Sequence, residues 1–139
     1  METISEAQKE IVQEFSMFDD WMQKYDYLIE LSKDIPLISE EYRLNENLIK
    51  GCQSKVWLHA RDIDGKVIYT ADSDAIITKG IAALLIRVLS EQKAEDILEN
   101  EMYFIDAIGL KEHLSMTRSN GLLSMIKQMK FYALAFQAK

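Results

Sequence analysis

The sequence predicts an α+β fold, and three observations carry the prediction. Apolar residues recur at helical spacing near both ends of the chain, one strand–turn–strand signal lies between them, and 48% of the 139 residues are hydrophobic. A period of 3.6 marks a helix with one buried side, and a period of two marks a half-buried strand. Helices, then a small antiparallel sheet, then helices again is an α+β order. A chain of this length matches the commonest domain size, so residues 1–139 are expected to form a single domain whose core needs no disulfide or metal.

Taken in order, Ile4, Ile11 and Phe15 predict a first amphipathic helix ending near Met17. Asp19 or Asp20 can cap a second helix with Trp21, Tyr25, Leu28 and Leu31 along one side, and Pro36 stops its continuation. Residues 37–51 are polar and mixed; they read as a loop or short helix, with room for a strand leading into Gly51. Residues 56–61 and 66–71 are the two clear strands, and Asp64-Gly65 stands where a hairpin turn needs positive φ. Val56, Leu58 and Ala60 then share one face, with Trp57, His59 and Arg61 on the other.

Residues 75–89 are too short to span a bilayer and are interrupted by Lys79 and Arg87, so they predict a buried core helix. Gly80 within it costs about 1 kcal/mol against alanine, which points to a close backbone contact. A shorter helix is expected around residues 94–98 and a turn or two over 104–114. Residues 115–121 lead into a final helix striped by Leu122, Ile126, Met129, Ala133 and Phe136.

Charge excludes some function classes. The net charge is −7, from 16 basic and 23 acidic residues, with no clustered basic run, so nucleic acid is not an expected partner. The N-terminal stretch is acidic and amphipathic rather than a signal peptide, and no membrane partner is expected. A single cysteine forms no intramolecular disulfide and suits a reducing compartment, so a cytoplasmic location is expected.

That cysteine, Cys52, sits between Gly51 and Gln53 just ahead of the first strand. The thiolate is the nucleophilic form, and nearby positive charge favours it. Lys50 and Lys55 flank the residue; in an extended segment Lys50 and Cys52 would point the same way. Gly51 can present the sulfur on a tight bend. The alternative is a small buried filler beside two solvated lysines, in an interaction module with no chemistry of its own. A Cys-His hydrolase using His59 or His113 is a further alternative, although no spacing places a base. One cysteine and two histidines without paired spacing make no zinc site, and a cluster held by four thiolates cannot be built. Asp74 is either the N-cap of the apolar helix or a site residue. Arg118 is either a solvated charge in the loop before the last helix, with Ser119 or Asn120 as its cap, or a site residue.

Four stretches together resemble the SufE family of cysteine desulfuration proteins: "WMQKYDYLIELSKDIP", "GCQSKVW", "ADSDAIITKGIAALL" and "LKEHLSMTRSNGL". The resemblance implies a fold shared with IscU-type scaffolds, about three antiparallel strands packed against several helices. It also implies a sulfur carrier rather than an enzyme. A cysteine desulfurase (SufS-like), which holds the pyridoxal phosphate, would pass a persulfide sulfur to Cys52, and an Fe–S cluster scaffold would receive it. The carrier itself would need no cofactor. Asp74 and Arg118, near this loop in family members, are the implied candidates for holding it or meeting the partner, beside Gly51, Gln53 and Lys50 around the sulfur. Because a persulfide is reactive, the sulfur is expected to be shielded at rest with Gly51 as the hinge. Two positions depart from the family pattern: Ser32 stands where glycine is usual, and Met116 where proline is frequent, leaving the end of the second helix and the loop around Arg118 in doubt.

Overall fold

The computed structural model describes residues 2–138. Helix α1 (Ile4–Ser16) opens with a capping box, in which Thr3 Oγ1 accepts from the Glu6 amide while Glu6 accepts from the Thr3 amide. Helix α2 (Trp21–Ser32) is capped by Asp20, whose carboxylate accepts from the Gln23 amide at 2.9 Å. At its end Ser32, buried, donates to the Ile29 carbonyl at 2.6 Å, so the serine there is accommodated within an ordinary helix terminus. Residues 37–51 form two 3₁₀ turns, Glu40–Tyr42 and Asn45–Asn47, and their ladder pairing with the sheet is limited to single bridges, Leu37 to Ala71 and Leu48 to Trp57. The strand allowed before Gly51 does not form.

The sheet order is β1-β2-β3, all antiparallel. Strands β1 (Val56–Ile63) and β2 (Lys66–Ser73) each run two residues beyond the expected ends, pairing Val56 with Ser73 through Ile63 with Lys66. Asp64 and Gly65 take φ +54 and +82, the geometry of a tight hairpin turn. The two-residue β3 (Gln92–Lys93) is too short to show a period in the sequence. Alternation holds as expected: Val56, Leu58, Ala60, Val67, Tyr69 and Ala71 are buried on one face.

Helix α3 (Ile76–Leu89) lies against that sheet, α1 and α2. It crosses α2 closely: a Cβ at Gly80 would lie 2.3 Å from the Leu28 carbonyl oxygen, which is the backbone contact the glycine predicts. Arg87 ties α3 to α1, donating from Nη1 to Glu14 Oε1 at 2.9 Å and from Nη2 to Glu10 Oε2 at 3.1 Å. The short helices α4 (Ala94–Glu99), α5 (Phe104–Ala107) and α6 (Leu110–His113) follow. Helix α7 (Met116–Gln137) closes the core, with Tyr69 donating to the Met129 carbonyl at 2.5 Å and Tyr132 to that of Leu58 at 3.3 Å. No helix among the described residues is long and apolar enough to cross a membrane.

The start of α7 differs from the expectation. Ser115 is the N-cap, accepting from the Arg118 amide at 3.2 Å, so Arg118 stands in the first helical turn rather than in a loop. Met116 occupies the first helical position, where proline is favoured because its missing N–H would have no helical partner anyway. The serine cap holds the turn without it.

Candidate functional site

Cys52 lies on a loop closed by a hydrogen bond from the Ile49 amide to the Val56 carbonyl at 2.9 Å. Gly51 makes the bend, at φ +89, a region that L side chains rarely adopt. A Cβ there would also sit 2.8 Å from Ser124 Oγ, so the loop presses against α7 at this point. The thiol is half-buried, its Sγ 3.6 Å from the Gly121 carbonyl oxygen as donor to acceptor. Gly121 leaves room for it: a Cβ on that residue would be 3.2 Å from Sγ. Two glycines, one on the loop and one on the helix, thus seat the sulfur against α7.

The thiol opens on a cavity of about 360 Å³, lined with it by Gln53, Ser54, Thr78, Thr117 and Arg118. Loop, α3 and α7 each supply part of the wall, the α3 part being Thr78. Burial pushes the Cys52 thiol up from its ordinary range, toward the protonated form. Lys50 does not share this cavity. The bend at Gly51 turns it into a neighbouring groove of about 370 Å³ with Leu58, Lys127, Phe131 and Tyr132, so the expectation that Lys50 and Cys52 point together fails.

Asp74 is not a helix cap. The N-cap of α3 is Ala75, without a side-chain bond, because the Asp74 carboxylate is engaged elsewhere. It accepts from the Lys55 amide at 3.0 Å, while the Asp74 amide donates to the Lys55 carbonyl at 3.2 Å and Ser73 Oγ donates to the same carbonyl at 2.8 Å. The end of the Cys52 loop is therefore clamped to the end of β2. Neither histidine lines the cavity: His59 stacks on Tyr42 at 3.7 Å and His113 on Trp21 at 4.0 Å. Among the described residues no three of His, Cys, Asp and Glu group to hold a metal ion.

Sequence reasoning missed Asp72, Arg43 and Lys79. Asp72, buried at the end of β2, pairs with the Arg43 guanidinium and with Lys79 Nζ at 3.1 Å. Arg43 also covers the Trp57 ring, 4.9 Å from its centroid. Burial pushes the Asp72 carboxyl up, but hydrogen bonds from Arg43, the Ser73 amide and Lys79 outweigh it and leave it below its ordinary range. This network fastens residues 40–43 and the first turns of α3 beside the Cys52 loop. Asp72 falls on the face opposite Val67, Tyr69 and Ala71, across from Trp57, where a polar residue is ordinary, so strand alternation does not mark it. Nothing periodic marks Arg43.

The model of the SufE family, described as an Fe-S metabolism associated domain, matches residues 9–133. The chain belongs to the SufE family. It is 38% identical over 132 residues to SufE-like protein 1, chloroplastic/mitochondrial, of Arabidopsis thaliana, covering 94% of this chain but only 36% of that longer protein. An uncharacterized SufE-like protein of Rhizobium meliloti is 38% identical over 126 residues, covering 87% of this chain and 90% of its own length. The solution structure of a hypothetical protein from Thermus thermophilus superposes with a TM-score of 0.80 at 21% identity, over 96% of this chain and 97% of that one, and shares the fold. Membership places this SufE-family chain in Fe–S metabolism.

Proposed function

We propose that this protein is a sulfur carrier that takes a persulfide sulfur from a pyridoxal-phosphate-dependent cysteine desulfurase onto Cys52 and passes it on for iron–sulfur cluster assembly. The observation that carries the reading is the seat of Cys52: a lone thiol, half-buried against Gly121, at the edge of a cavity reached from solvent. A sulfur that must leave its protein again needs such a place, sheltered at rest and open to a partner.

The exchange balances as a thiol–disulfide-type displacement. Cys52 Sγ attacks the outer sulfur of the donor's cysteine persulfide, a new Sγ–S bond forms, and the donor's S–S bond breaks. The Cys52 proton ends on the departing donor thiol, and the persulfide anion is now carried by Cys52. The resting thiol is protonated, because burial raises its pKa. Docking must therefore move the loop so that the thiol leaves its sheltered seat and the proton can leave, and the Gly51 bend is where the backbone can turn. Arg118, across the cavity, is the cation positioned to meet the anionic product. Gln53 lines the same wall, and the Asp74 clamp fixes the loop's far end.

The test is intact mass after incubation with a cysteine desulfurase and free cysteine. One added sulfur, removed by reductant and absent in Cys52→Ser, is the expected result. No added sulfur with any cysteine desulfurase of the same organism would overturn the reading.

A further inference from the structure

Helix α7 is apolar on two sides, and only one of them is used by the core. Met116, Leu123, Phe131 and Leu134 are 80%, 47%, 63% and 53% exposed. Together with Asn120 and Lys127 they occupy one line of the helix, opposite the buried stripe of Leu122, Met125, Met129 and Ala133. At 1.5 Å per residue this line runs about 27 Å. Thr117 and Arg118, on other sides of the same first turn, face the Cys52 cavity, while Lys127 and Phe131 of the line wall the neighbouring groove that holds Lys50.

Charge sets the same strip apart. Residues 116–139 hold four of the 16 basic residues and none of the 23 acidic ones, so the other 115 residues carry −11 in a chain of net −7. Among the described residues no carboxylate pairs with Lys50 or Lys127. Glu46 is the one carboxylate lining the groove beside them. An apolar line flanked by unpaired cations, on an otherwise strongly acidic protein, is a surface built for an acidic partner that also offers apolar side chains.

We propose that this exposed line of α7 is the docking surface for the sulfur donor, which meets it with a face of apolar and acidic residues. The inference rests on the sulfur-carrier reading and names the surface it uses. The line reaches the thiol through the groove: Lys50, two residues before Cys52, lines it with Lys127 and Phe131, so a donor that covers the Cys52 loop meets the line there. A second copy of this chain is the competing occupant, since the groove lined by Met17, Phe18, Asp19, Asp26 and Glu30 offers the complementary chemistry. A copy seated on α7 would cover the groove beside Lys50 that the donor needs.

The experiment measures binding of the full-length protein to its cysteine desulfurase by calorimetry, without free cysteine, for wild type, Lys127→Glu and Phe131→Ala, with Lys9→Glu on α1 as control. The expected result is an affinity about tenfold weaker for each α7 variant, unchanged for Lys9→Glu, with wild-type binding weakened by added salt. Both substituted side chains are exposed, so unchanged melting temperatures keep the comparison clean. Undiminished affinity in both α7 variants, while wild-type Cys52 is still loaded with sulfur, overturns the docking surface and leaves the carrier reading standing. A wild type that is dimeric by light scattering, and monomeric in these variants with donor affinity intact, assigns the strip to a second copy. Absence of sulfur loading in wild type overturns both.

Discussion

The thiol of Cys52 and the backbone of Gly121 are in contact: Sγ lies 3.6 Å from the carbonyl oxygen, with the helix surface bare where a Cβ would stand 3.2 Å from the sulfur. Replacement of Gly121 by alanine separates the two consequences. Alanine improves helix propensity by about 1 kcal/mol, so α7 does not weaken on that account. Sγ must instead move, and the loop around the Gly51 bend is the part able to yield. Iodoacetamide should alkylate Cys52 several-fold faster in Gly121→Ala than in wild type. Equal rates would mean that the glycine does not seat the thiol.

The raised pKa of that thiol makes a second prediction, with a definite sign. Burial holds the proton on Cys52 in the folded chain to higher pH than in the unfolded chain. Between the two pKa values the folded state binds more protons, so stability falls as pH rises through that window. The alkylation rate of the native protein should reach its midpoint at a higher pH than that of the urea-denatured protein. Its urea-unfolding free energy should also fall more between pH 8 and about 10 than that of Cys52→Ser. A native midpoint below the denatured one would show that a cation, not burial, governs the sulfur.

Asp74 supplies a third test. Its carboxylate accepts the Lys55 amide at 3.0 Å while its own amide returns the bond to the Lys55 carbonyl at 3.2 Å. Asp74→Ala removes the first bond and frees an exposed amide, at a cost of about 1 kcal/mol. Asp74→Asn keeps an acceptor. Hydrogen exchange at the Lys55 amide should accelerate strongly in the alanine variant and little in the asparagine variant. Equal exchange in wild type and Asp74→Ala would show that the clamp does not hold in solution.

The legibility of these features in the sequence follows their range. The hairpin is legible because alternation and an Asp-Gly pair are local, and so is the Gly80 crossing, since glycine inside an apolar helix is costly without a reason. Cys52 stands out because nothing else in the chain could do its chemistry. Its surroundings do not. The Asp74 clamp, the Asp72–Arg43–Lys79 network and the Gly121 contact join residues far apart in the chain, and no period records which loop returns to which strand end. Arg118 reads as a loop residue in the sequence for a related reason. Ser115, Ser119 and Asn120 are all competent caps, and the choice between them is made by where α7 packs, not by the caps themselves.

Gly51 and Ser124 provide the last prediction. Gly51 carries two constraints at once, a φ of +89 and an α7 side chain whose Oγ would lie 2.8 Å from any added Cβ. A non-glycine residue in the left-handed region costs about 1–2 kcal/mol, and the collision adds to that unless the serine rotates away. The two costs can be told apart. Gly51→Ala alone should lower the urea-unfolding free energy by the sum, whereas Gly51→Ala combined with Ser124→Gly should be compared with Ser124→Gly to give the backbone cost by itself. If the collision is real, the alanine is more damaging in the presence of Ser124 than in its absence. Identical penalties in both backgrounds would assign the whole effect to φ. In either background the strained loop should leave Cys52 more readily alkylated, because the bend that keeps the sulfur against Gly121 is the bend being strained. An unaltered alkylation rate alongside a clear loss of stability would separate the loop's conformation from the shelter of its thiol and remove Gly51 as the hinge.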